Sequence, residues 1–205
     1  MLRSSTLHSP LLILSWGALP CHALVQCEEH GYDLHMRRFW GIKHFNDASP
    51  LGLSLTPRLI TVVNLAMFWV PFLAAAIRAE TGGDYKPAAM CWGVAVCNAV
   101  GHVLWLLALG KYTPGAFMSV AVTLPLGWCF FKALIKHYSP VGWRIVVSSL
   151  IFGSFAHLFV LFFAIKLYNA GYLSIIGTTA WIIGGMFGGM WAGLRRGTGT
   201  RKVKV

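Results

Sequence analysis

Two adjacent carboxylates, Glu28 and Glu29, and two imidazoles, His102 and His157, stand out in a chain otherwise rich in apolar residues. Asn98 precedes His102 by four positions, so the two share one helical face. Ionisable groups inside a membrane are costly and mark either function or hydrogen bonding between helices. Carboxylates and imidazoles in a site with little water suit a first-row transition metal such as zinc or iron, with Glu28, Glu29, His102 and His157 as the ligand set. Without a metal, the same groups serve as general acid and base, and Asn98 orients His102 or donates to a developing oxyanion. The candidate catalytic set is therefore Glu28, Glu29, Asn98, His102 and His157.

Whether such a set can assemble depends on the elements that carry it. The chain has 205 residues, of which 57% are hydrophobic and 11% charged, against roughly a quarter charged in a soluble domain. Mean hydropathy is +0.65. These values point to an integral membrane protein, all-α, built as a bundle of transmembrane helices. The formal charge is +11, from 17 basic and 6 acidic residues. The basic residues stand mainly at the ends of apolar runs, which is the pattern of snorkelling and topology rather than of nucleic-acid binding. The five cysteines include no C-x-x-C pair and read as small buried hydrophobes.

Spanning-length runs lie near 8–27, 57–79, 88–110, 114–136, 143–168 and 172–194, giving six helices in one transmembrane domain. A polar loop occupies 28–56 and a basic tail 195–205. Pro20 is expected to kink the first helix. The other reading of that first run is a secretory signal cleaved after Ala23. Within the loop, the stretch from Arg37 to Phe45 reads as a short amphipathic piece in the membrane interface. Most Lys and Arg residues fall on the side that carries both termini, which places that side in the cytosol.

With this topology, Asn64 and His102 lie about 10 and 12 Å below the loop-side ends of their helices, and His157 about 16 Å. His22, Gln26, Glu29 and Asp33 form a stripe along the first helix toward the same end. The polar groups thus converge on one half of the membrane. The last helix carries Gly184, Gly185, Gly188, Gly189 and Gly193, a ridge of overlapping G-x-x-x-G spacings that allows close helix packing within the bundle or in a homo-oligomer.

Glu28-Glu29 at the end of a first helix, Asn98-x-x-x-His102, Tyr112-x-Pro114-Gly115 and Leu124-Pro125 together resemble the bacterial and fungal membrane proteins named for an H-x-x-E-E motif. The resemblance covers much of 22–126. The motif histidine falls on Val25, with His22 one turn earlier. The resemblance implies an active site made of His and Glu residues, without naming a reaction.

The expected function is a membrane-embedded enzyme acting on a hydrophobic or lipid-like substrate by metal-assisted or acid-base chemistry. Two other readings stand beside it. One is a non-enzymatic subunit of a larger membrane complex, its polar groups tying helices together. The other is a small proton-coupled transporter, although the chain has no internal repeat or paired broken helices of the transporter kind. Membrane lipid is the expected surrounding in each case, and nucleic acid is not an expected partner.

Overall fold

The computed structural model describes residues 9–30, 40–48, 52–110 and 112–197. Within these, the chain forms seven helices: α1 (Pro10–His30), α2 (Trp40–Ala48), α3 (Pro57–Gly82), α4 (Lys86–Leu109), α5 (Ala116–His137), α6 (Gly142–Asn169) and α7 (Ile175–Gly197). All but α2 are long and apolar enough to cross a membrane, matching the six expected spans and making this an all-α integral membrane protein. Helix α1 runs through Pro20 without interruption.

Helix ends carry the expected chemistry. The Thr56 side chain accepts the Leu59 N–H at 3.2 Å, and Pro57 follows at the first position, where its missing donor costs nothing. At the other membrane face, the Tyr138 hydroxyl accepts the Tyr85 N–H at 3.2 Å at the start of α4. Burial pushes the Tyr138 phenol above its ordinary pKa, so it remains a neutral acceptor around pH 7.

Helix α4 is the central element. Its first half, from Ala88 to Ala95, is buried on all sides, and Trp92 donates its indole N–H to the Leu14 carbonyl of α1 at 2.9 Å. Helices α4 and α6 cross at closest range through Gly93 and Gly153. A Cβ on Gly93 would lie 2.0 Å from the Ser149 carbonyl oxygen, and one on Gly153 would lie 2.2 Å from the Gly93 carbonyl oxygen. Neither position admits a side chain without moving backbone. Past this crossing, towards the loop side, the two helices part: α4 packs on the first part of α6 much more than on its π turns and hardly on its last turns.

Three spans contain a π-helical segment: Asn64–Trp69 in α3, Ser119–Thr123 in α5 and Ala156–Leu161 in α6. In α3 and α5 the segment is followed almost at once by Pro71 and Pro125. Proline cannot donate to the preceding turn and its ring crowds that turn's carbonyl, so a wider turn just before it relieves the conflict. The segment in α6 has no proline, and nothing in the structure explains it. All three lie toward the loop-side half of their spans, the half that holds the polar residues.

The amphipathic helix is observed as α2. Ile42 is buried, Phe45 meets Trp105 of α4 edge-on at 5.4 Å between ring centres, and Lys43 pairs with Asp47 on the exposed face. Asn46 fixes its position by donating to the Leu55 carbonyl at 3.0 Å and accepting the Leu55 N–H at 2.7 Å. Arg37, Arg38 and Phe39, along with Asp33, lie outside the described residues.

The glycine ridge of α7 has two sides. Gly185 would meet Val160 at 2.7 Å and Gly189 would meet Phe152 at 2.5 Å, so this side packs on α6. Gly184 and Gly188 have nothing within 4 Å. The side-chain surroundings of Gly193 lie outside the described residues.

Candidate functional site

The last turn of α1 sends its two acids in different directions, because neighbouring residues on a helix point about 100° apart. Glu29 faces α4 and pairs with His102 Nε2, both side chains being largely buried. Glu28 faces the start of α5. It accepts from the Tyr112 hydroxyl, from the Phe117 N–H at 3.1 Å and from the Met118 N–H at 2.8 Å. The first N–H groups of a helix have no partner within it, and Gly115, at the cap position before α5, has no side chain to supply one. Glu28 supplies it from another helix, with a negative charge at the positive end of the helix dipole.

Behind Glu29 runs a chain of amides. Gln26 donates to the second Glu29 oxygen at 2.8 Å and accepts from the Asn64 amide of α3. Three helices thus fix one carboxylate. On the far side of the pair, the 110–115 turn closes against His102: Thr113 is buried and donates to the His102 carbonyl at 3.3 Å. Gly115 has φ +87°, and a Cβ there would lie 2.8 Å from the His102 ring and 3.0 Å from Glu29 Cγ. Backbone conformation and space both require glycine at this position. The Tyr112-x-Pro114-Gly115 signature therefore serves both acids, Tyr112 holding Glu28 and Gly115 making room for Glu29 and His102.

The pair stands in the wall of a cavity of about 560 Å³ enclosed by α1, α3, α4 and α6. Phe45 of α2 and Leu55 line it at its loop-side end. Most of the lining is apolar, interrupted by Gln26, Glu29, Asn64, Asn98, His102, Thr113, Ser154 and His157. Val100, Leu104 and Leu158 line the cavity and are exposed, the last two by 59% and 66%. They stand where α4 and α6 part, so the cavity is open at the side between these two helices.

Asn98 lies one turn deeper than His102 on α4 and lines the cavity. His157 reaches it from the π-helical part of α6, where its Nδ1 is 2.9 Å from the Gly153 carbonyl. Of the five candidate residues, four therefore reach one cavity, and Glu28 is bound to α5 beside it. The expected four-ligand metal set is divided: Glu29 with His102, Glu28 with α5, His157 with a backbone carbonyl. Among the described residues, no three His, Cys, Asp or Glu side chains come together at metal-binding spacing. His22 is stacked on Phe68 with 3.7 Å between ring centres, and Val25, at the motif's histidine position, is buried.

Gln26 and Asn64 belong to the site although reasoning on ionisable residues leaves them out. The depth of Asn64 and the stripe that includes Gln26 were the signals that could have found them.

Comparison with curated proteins and with solved structures gives no match to either. A family model does match, over residues 16–130, which is more than half of the chain and includes both acids, Asn98, His102 and the 110–115 turn. The chain belongs to the family of proteins of unknown function with an HXXEE motif.

Proposed function

We propose that this protein is a membrane-embedded enzyme that carries out proton transfer on a hydrophobic or lipid-like substrate, with Glu29 and His102 as the acid-base pair. The observation that supports this most is the pairing of a carboxylate and an imidazole, largely buried, in the wall of an apolar cavity. A cavity of this size falls within the roughly 300–1,000 Å³ typical of small-molecule sites. The side window lets a lipid-soluble molecule enter without crossing water.

Glu29 takes a proton from the substrate, protonated His102 returns one, and passage of the proton from Glu29 to His102 Nε2 across their contact restores the pair. Gln26 and Asn64 are positioning residues, which hold the carboxylate at one angle through the amide chain. Glu28 positions α5 and, through it, the turn that closes on His102. The excess of Lys and Arg at the side of the termini favours a cytosolic location for both ends, which puts the reaction in the opposite leaflet half.

The test is conversion of lipid extract by purified protein, followed by mass spectrometry. Wild type is expected to convert at least one lipid species, and Glu29→Gln and His102→Asn to slow this by about 100-fold or more. Equal conversion by variants that remain folded would overturn the assignment. If wild type shows no conversion and the protein is recovered as a stoichiometric member of a larger complex, the polar groups serve assembly instead.

A further inference from the structure

The deep end of the cavity contains a polar group that the Glu29–His102 pair does not use. His157 Nδ1 lies 2.9 Å from the Gly153 carbonyl oxygen, an atom that can only accept, so Nδ1 carries the proton. In the neutral ring this leaves a lone pair on Nε2. That nitrogen is buried and has no hydrogen-bond partner. A buried acceptor without a partner is costly, and a ligand that supplies a donor recovers that cost. The Phe68 ring lies 6.2 Å from that of His157 between centres, and the cavity lining also holds Leu158, Asn98 and Ser154.

We propose that the cavity takes a membrane-dissolved alcohol, whose hydroxyl donates to His157 Nε2 while its hydrocarbon body fills the space toward Glu29 and His102; this rests on the cavity being the reaction site proposed above. An alcohol fits each feature. It dissolves in the bilayer and reaches the window from the side. It supplies the donor that Nε2 lacks, which an ether, a ketone or a hydrocarbon does not. His157 lines the cavity while its Nε2 is buried, so the hydroxyl reaches that nitrogen when a neighbouring side chain gives way. The hydroxyl is then held by α6, while the reacting carbon-bearing part lies against α1 and α4.

The experiment is equilibrium binding to the full chain in nanodiscs, with hexadecanol and a saturated tetracyclic alcohol as probes, each compared with its own methyl ether. Wild type is expected to prefer at least one alcohol over its ether by about ten-fold, the worth of one hydrogen bond to a buried group. His157→Phe should bring that ratio to about one, and His157→Gln, which keeps an acceptor oxygen, should retain part of it. The ratio does not depend on the fraction of protein that is folded. Gly184→Ala, at a position with nothing within 4 Å, should leave it unchanged. A ratio unaltered in His157→Phe overturns the proposal but not the role of Glu29 and His102, which is read from conversion. Binding of neither alcohol overturns it as well. A preference that depends on His157, together with no conversion of any lipid, overturns the catalytic reading alone.

Discussion

A single methyl group at Gly93 or Gly153 is expected to do more damage than one at any other glycine among the described residues. The added carbon would lie 2.0 Å from the Ser149 carbonyl oxygen in Gly93→Ala, and 2.2 Å from the Gly93 carbonyl oxygen in Gly153→Ala. Backbone atoms cannot rotate away, so α4 and α6 must separate. Overpacking of a core typically costs 1–3 kcal/mol, and a clash against backbone should reach at least about 3 kcal/mol. Thermal unfolding in detergent measures this. Gly184→Ala, at a position with nothing within 4 Å, is the control and should be neutral or slightly stabilising. The loss extends to the site, because Gly153 also holds His157 through its carbonyl. A Gly153→Ala protein as stable as wild type would mean that α4 and α6 do not cross as described.

The two adjacent acids should separate cleanly into one that supports the fold and one that supports the reaction. Glu28→Ala removes the acceptor for the Tyr112 hydroxyl and for two N–H groups of α5. Part of this surface is open to solvent, so the expected cost is about 1–3 kcal/mol. The unfolding midpoint should fall, while conversion persists below it. Glu29→Gln keeps the shape and much of the hydrogen bonding, so its midpoint should stay near that of wild type while conversion is lost. Measuring both midpoint and rate for both variants checks the division. Loss of activity without loss of stability in Glu28→Gln would place Glu28 in the chemistry with Glu29.

The spans were legible in the sequence because length and hydropathy alone decide them: six runs of the right size, ended by Gly110, Pro114 and Pro57. Asn98, His102 and His157 were legible for a similar reason, since a polar residue in an oily helix has few roles open to it. The rest depends on which helix faces which. Glu28 and Glu29 are chemically identical in the sequence, and only the placement of α4 and α5 around the end of α1 gives them different partners. The glycines of α7 attracted attention by their number, yet the closest approach is made by Gly93 and Gly153, each isolated in its own helix. Two of the three π segments have a downstream proline as a faint signal, and the one that carries His157 has none. A cavity has no residue of its own to be read, so the window between α4 and α6 emerges only when their divergence past Gly93 and Gly153 is seen. His157 shows the same limit: its residue type marked it, but the unpartnered nitrogen follows from the position of the Gly153 carbonyl.

In the proposed reaction, the Glu29–His102 pair moves protons on a molecule drawn from the membrane. The most direct measurement is to incubate purified wild-type and Glu29→Gln protein with membrane lipid extract in heavy water, then to search the lipids by mass spectrometry for deuterium bound to carbon or for a product. Wild type should give a labelled or converted species that is absent with Glu29→Gln, at equal amounts of folded protein. Lipid spectra indistinguishable between wild type, Glu29→Gln and a protein-free control would contradict it.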